Sequence, residues 1–313
     1  MRDMIHGRIA MTSALITANP ASGLATSPSS NGFHLLGPGE MICLKTHLIP
    51  DPPYYFGNRI AGQLGGLIKV LNPDRVFLVT NQALLTLHGV ELQRTFSENG
   101  LNVTVITLED SESPKSSGTH EHLCETLVAK NISKASIIVG FGGGSLTSIV
   151  GLASGLLLRG IRYVEIPATL LGVTDSCLIN KQAVDGRHGK NPFGYYYGPI
   201  FVFGDTRFLV SEPVAGRKSA IVEGIKNGFN ADASLVDYLE AKLRMDLATY
   251  SEQDLTELAL KLILSKLEIL KEDGGTKLVL SKRTGECLEP TGDSQWRVPA
   301  KAVRATLTAH KQR

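Results

Sequence analysis

The sequence lacks a membrane span, a cysteine framework and a strong charge of either sign. No apolar run approaches the roughly 20 residues that a bilayer-crossing helix needs. The longest, Ile149 to Leu158, is interrupted by Gly151 and Gly155 and stops at Arg159, so no membrane partner is expected. Cysteine is limited to Cys43, Cys124, Cys177 and Cys287, far apart and outside any CxxC or CxH spacing. That scarcity argues against a disulfide scaffold and predicts reduced thiols in a cytoplasmic protein. The formal net charge is only +2, with 32 basic residues scattered along the chain. No basic stripe exists to hold a nucleic-acid backbone, and nucleic acid is not an expected partner.

What remains is the composition of a globular chain: 313 residues, 42% apolar and 20% charged, enough for one large domain or two medium ones. Residues 1–40, with ASGLATSPSSNG at their centre, are rich in Ser, Gly, Ala and Thr and lack periodicity, which predicts a disordered arm. Met1 to Thr17 has no sustained apolar core and fits a secretory signal poorly; an organelle transit peptide is the alternative for the arm. Residues 41–205 alternate β-branched runs with amphipathic segments. Strands are predicted at Ile42 to Thr46, Arg75 to Thr80, Val103 to Leu108, Ser136 to Val139 and Tyr163 to Ile166, with helices at Asn58 to Val70, Gln82 to Glu98, His120 to Lys130 and Ser145 to Leu158. Such alternation predicts an α/β fold, a doubly wound parallel-sheet nucleotide-binding domain. Over residues 206–273 the strand signal fades, and helices are expected at Arg217 to Phe229, Ser234 to Met245 and Asp254 to Lys271, the beginning of a helical domain. Residues 274–313 do not continue that pattern and read as a divergent tail.

Three clusters carry chemistry. GFGGGSLTS, Gly140 to Ser148, follows an apolar strand and opens a helix. Glycines there let a pyrophosphate approach the backbone, and the unpaired N–H groups and dipole of the helix favour its charge; tight helix packing is the competing explanation of the same glycines. KQAVDGRHGKN, Lys181 to Asn191, reads as a glycine-rich loop that can place ammonium and amide donors around a phosphorylated sugar, or simply as a solvated basic turn. Glu223, Lys226 and Asn227 share one face of a helix, where an intrahelical ion pair is the commoner explanation.

Taken jointly, the segments Gly142-Gly143-Gly144, Ile166-Pro167-Ala168-Thr169-Leu170-Leu171, Lys181-Gln182-Ala183-Val184-Asp185, Gly189-Lys190-Asn191 and Glu223-Gly224-Ile225-Lys226 resemble the dehydroquinate synthase superfamily of sugar-phosphate cyclases in order and spacing. The likeness runs from about Met41 to Asp273 and takes in Asn81 and Glu112-Ser113-Pro114-Lys115. The wording Gly194-Tyr195-Tyr196-Tyr197 and Phe201-Val202-Phe203-Gly204-Asp205-Thr206-Arg207 is most similar to the 2-deoxy-scyllo-inosose synthase subgroup, and Ser148 stands where dehydroquinate synthases usually have an acidic residue.

The resemblance implies a homodimeric, NAD-dependent lyase using a small phosphorylated sugar. Hydride passes from a ring carbinol to NAD, the ketone acidifies the neighbouring C–H, phosphate leaves, hydride returns, and an aldol addition closes a carbocycle. The substrate implied is glucose 6-phosphate, with 3-dehydroquinate synthesis and a degenerate NAD-binding protein as alternatives. Residue by residue it implies that Lys181, Lys190, Asn191 and Lys226 contact substrate. Asn81, Glu112, Lys115, Gly143, Gly144, Ser145, Thr169 and Asp175 contact NAD, and Glu223 ligates zinc or cobalt. The superfamily's two metal-binding histidines, from a GHTxxHA-type and an HGEA-type helix, have no counterpart: after His188 the only histidine is His310. A catalytic zinc or cobalt site normally needs three protein ligands, so activity is in doubt. The tail from about Gly274 is accordingly expected to be a frameshifted or divergent replacement.

Overall fold

The computed structural model describes residues 37, 39, 41–44, 52–108, 115–231, 233–243, 246–273, 280–283 and 286–288. Its centre is a seven-stranded sheet in the order β1-β2-β9-β6-β5-β3-β4, formed by β1 (Met41–Leu44), β2 (Tyr54–Gly57), β3 (Val76–Asn81), β4 (Val103–Leu108), β5 (Ile137–Gly142), β6 (Arg162–Pro167) and β9 (Phe201–Asp205). Only the edge strand β1 runs antiparallel to its neighbour. Parallel strands are buried on both faces and therefore read as continuous apolar runs, which is how VFLVT and IIV are written.

The helices divide between the two faces. In β3, Val76 and Leu78 point toward α1 (Leu64–Lys69) and α2 (Gln82–Glu98), packing with Ile68, Leu92 and Phe96. Phe77 and Val79 point the other way, toward α3 (Ser117–Ala129) and α4 (Gly144–Leu156), where Leu123, Leu127, Ile149 and Val150 meet them. The period-two alternation of side chains in a strand is what feeds two cores from one segment. A third core joins Tyr54, Phe56 and Val202 to α5 (Leu170–Thr174), α6 (Val214–Ala231), α7 (Ala233–Leu243) and α8 (Glu252–Asp273).

The α/β doubly wound reading holds, with several corrections of detail. The chain runs from β3 out to β4, then returns to place β5 on the other side of β3. At such a reversal open α/β sheets bind ligands in the crevice beyond the carboxyl ends of the strands, here those of β3 and β5. The helix expected from Asn58 begins only at Ala61, because Asn58 and Arg59 tie back to the Thr206 and Asp205 turn. Lys181 to Asn191 is a hairpin and not a loop: β7 (Lys181–Gly186) pairs antiparallel with β8 (Gly189–Tyr196). The solvent-facing β8 has no apolar alternation to announce it. Strands β2 and β9 also went unread, since both are short and lie beside turns. The arm over residues 1–40 lies outside the described residues apart from Gly37 and Gly39. Of the tail, residues 280–283 and 286–288 are described: Leu280–Arg283 and Glu286–Leu288 pair antiparallel beside α6. No described helix is long and apolar enough to cross a membrane.

Candidate active site

Asn81 and Gly142 end the neighbouring strands β3 and β5, one on each side of the crevice. Asn81 caps α2, its Oδ1 accepting from Leu84 N at 2.8 Å. Gly143, at the N-cap of α4, has no side chain to bond the first N–H groups of that helix, the kind of start at which an anion is favoured. Ser145 lies in the same first turn. Packing explains part of the glycine run as well: a Cβ on Gly144 would stand 2.7 Å from Ser176 Oγ, and one on Gly143 3.1 Å from Thr169 Cγ2. Both explanations of the turn therefore apply at once. Thr169 caps α5 by accepting from Gly172 N at 3.1 Å.

The turn after α5 leads from the glycines to the helical layer. Asp175 accepts an ion pair from Lys266 Nζ at 2.7 Å, and the same ammonium is 3.5 Å from Glu223 Oε1, which Lys226 also contacts. Burial alone would push Lys266 down; the charges of Asp175 and Glu223 outweigh it and raise its pKa. Lys266 was not a sequence candidate, yet a signal existed. It is flanked three and four residues away by Leu262, Ile263, Ile269 and Leu270, a lysine set into the apolar stripe of its helix.

The β7–β8 hairpin closes another side. Lys115 Nζ donates to Asn191 Oδ1 at 2.6 Å, and Asn191 N donates to Asp185 Oδ1 at 2.8 Å. Burial holds Lys115 below the usual lysine range, opposed by Asp185 and reinforced by the Lys181 and Lys190 charges. Lys115, the expected NAD contact, thus forms one basic cluster with Lys181, Lys190 and Asn191, the expected substrate contacts. Glu112 lies outside the described residues.

Residues 105–218 match the family model described as 3-dehydroquinate synthase N-terminal. Over that span the chain carries a dehydroquinate synthase-type domain. It is 31% identical over 210 residues to 3-dehydroquinate synthase of Prochlorococcus marinus, covering 66% of this chain and 58% of that one. To 2-deoxy-scyllo-inosose synthase of Streptomyces kanamyceticus it is 33% identical over 194 residues, covering 62% and 50%. A crystal structure of 2-deoxy-scyllo-inosose synthase complexed with carbaglucose-6-phosphate, NAD+ and Co2+ aligns with a TM-score of 0.65 at 26% identity, covering 74% of this chain and 63% of that chain. A 2-epi-5-epi-valiolone synthase from Streptomyces hygroscopicus, with NAD+ and Zn2+ bound, shares the fold at 24% identity and a TM-score of 0.63, covering 71% and 62%. The chain thus spans 58% of the Prochlorococcus enzyme's length and 50% of the Streptomyces kanamyceticus enzyme's.

The two groups carried by those cyclases fit this chain differently. The uncapped helix start and the crevice at the strand reversal suit a dinucleotide. A divalent metal is not suited: Glu223 is engaged by two lysines, and among the described residues no group of three or more His, Cys, Asp or Glu can hold a metal ion.

Proposed function

We propose that this chain carries the NAD- and sugar-phosphate-binding part of a sugar-phosphate cyclase, with glucose 6-phosphate as substrate and 2-deoxy-scyllo-inosose as product. The observation that carries the reading is the convergence of Lys115, Lys181, Lys190 and Asn191 on a hairpin beside the helix that the glycine turn opens. When bound, NAD would supply reversible hydride acceptance. Gly143, Gly144 and Ser145 would hold its pyrophosphate, with Asn81, Thr169 and Asp175 bordering the same crevice. The three lysines neutralise the phosphate as it leaves, and Asn191 supplies an amide donor to the sugar. Lys226 and Lys266 face the carboxylates of Asp175 and Glu223, so the far wall of the cleft offers paired charges to ring hydroxyls. No step is assigned to a metal. Homodimer assembly is part of the same proposal.

Two observations favour other readings. Identity to the 3-dehydroquinate synthase of Prochlorococcus marinus, 31%, falls within the 29% to 33% found for inosose enzymes, which supports dehydroquinate formation. The lysine-held Glu223 supports NAD binding without turnover. Incubation with NAD+, cobalt or zinc, and glucose 6-phosphate tests all three. Phosphate release is expected on the first reading; release only from the seven-carbon shikimate precursor favours the second. Calorimetric NAD binding with no phosphate from either favours the third.

A further inference from the structure

Beneath the cleft lies a buried polar cluster to which none of the roles above assigns a task. Glu165, in β6, is 2% exposed, as is Gln182, the residue after Lys181 in β7. Gln182 Nε2 donates to Glu165 Oε1 at 3.2 Å and to Tyr163 Oη at 3.0 Å. The same amide rests on α4, where a Cβ on Gly151 would come within 2.5 Å of Gln182 Oε1. Cys177, two residues beyond Asp175, contributes a thiol hydrogen bond to the carboxyl. Tyr163 Oη donates onward to Tyr197 O at 2.6 Å. One carboxyl therefore belongs to the strand that leads to Thr169, and touches the neighbours of both Lys181 and Asp175.

We propose that Glu165 is a positioning residue, which holds Gln182 against α4 and so fixes where Lys181 enters the cleft, and whose hold tightens when the neutral acid ionises. The groups facing it are Tyr163 on its own strand, Tyr54 of β2, Cys177 of the turn after α5 and Gln182 of β7. None of these four is a cation. Burial pushes its pKa up to about 7, against the hydrogen bonds from Cys177 and Gln182. An ionised carboxylate in so dry a place depends on the donors it already has, and the bond from Gln182 Nε2 becomes charge-assisted and stronger. The consequence for binding rests on reading Lys181 as a substrate contact, and the test separates the two.

The ligand-free full chain is titrated by NMR between about pH 5.5 and about pH 8.5, a range that brackets the raised carboxyl. The Gln182 side-chain amide and the Lys181 backbone amide are expected to shift together with a midpoint near neutrality, and to stay flat in Glu165→Gln. Calorimetry with glucose 6-phosphate in the presence of NAD+ should show wild-type affinity rising about tenfold relative to Glu165→Gln over the same range, the effect of one pKa unit; the ligand's own titration is common to both proteins. A Lys181 amide that does not move, or that moves equally in Glu165→Gln, overturns the proposal. Should that variant not fold, Gln182→Met cuts the link from the other side. In it the Lys181 titration should vanish while the carboxyl, followed by its own carbon resonance, still titrates, and a persisting Lys181 shift counts against the idea. If glucose 6-phosphate gives no heat at any pH while Lys181 titrates as expected, the substrate reading fails and the positioning role stands.

Discussion

The Lys115 ammonium donates to Asn191 Oδ1 at 2.6 Å across 76 positions of sequence. Asp185 closes the ring, accepting from Asn191 N at 2.8 Å and donating its own N–H to Lys115 O at 2.8 Å. Asn191 holds φ at 56°, a left-handed conformation that asparagine tolerates better than most residues. The hairpin turn is thereby clamped to the start of α3.

Replacing Lys115 by Met removes both the clamp and a positive charge. Glucose 6-phosphate binding, measured calorimetrically with NAD+ present, should weaken about tenfold, the scale of a charge-assisted hydrogen bond. The melting temperature should hardly change, because Asn191 is exposed.

Gly144→Ala places a methyl 2.7 Å from Ser176 Oγ and 3.2 Å from Ser176 Cβ. A serine side chain is too short to swing clear, so the helix start must move. A loss of about 1–3 kcal/mol in stability is expected, and NAD affinity should fall with it. Gly144→Ala paired with Ser176→Gly should recover the stability in denaturant titrations.

Arg217 is 4% exposed. Its guanidinium donates to Leu247 O at 2.5 Å, Leu209 O at 3.2 Å and Val210 O at 2.9 Å. Arg217→Met leaves those carbonyls without their donor and should cost about 3 kcal/mol or more. Urea denaturation gives the value.

Glu212 Oε2 accepts from Leu170 N at 2.9 Å, fixing the start of α5, and burial pushes its pKa up to about 7 despite Leu170 N and Arg217. A carboxyl raised in the folded state binds a proton that the unfolded chain releases near its ordinary value. Its contribution is therefore complete below about pH 4.5 and is lost as pH rises through about 7, up to about 3 kcal/mol for a shift of this size. Stability should fall across that window, and Glu212→Gln should flatten the slope. An unchanged slope would remove Glu212 from the account.

Dialysis against zinc or cobalt followed by elemental analysis should leave much less than one metal per chain. Glu223 offers a single carboxylate already held by Lys226 and Lys266, where catalytic sites use three protein ligands. Stoichiometric retention would point to ligands outside the described residues.

Much of the sheet was legible because burial on both faces writes parallel strands as apolar runs, as in β3 and β5, while the partly buried edge strand β4 was legible from its β-branched residues. The glycine turn was legible for a related reason: glycines between a strand and a helix have few explanations. The hairpin that carries Lys181 and Lys190 was not, since every residue from Gly189 to Gly194 faces solvent and polar strands leave no periodic trace. Glu165 and Lys266 each left a faint signal, a charge inside an apolar run, which by itself does not say what partner it meets.

Local order, then, came from the sequence alone: the alternation of strands and helices, the glycine-opened helix and the ordered motifs that mark the superfamily, all read over a few neighbouring residues at a time. Packing decided the rest. Only the folded chain brings Lys266 between Asp175 and Glu223, Lys115 onto Asn191 and Gln182 over Glu165. Those pairs arise where separate elements are pressed together, and the preferences of each element taken singly carry no record of which neighbour it will meet.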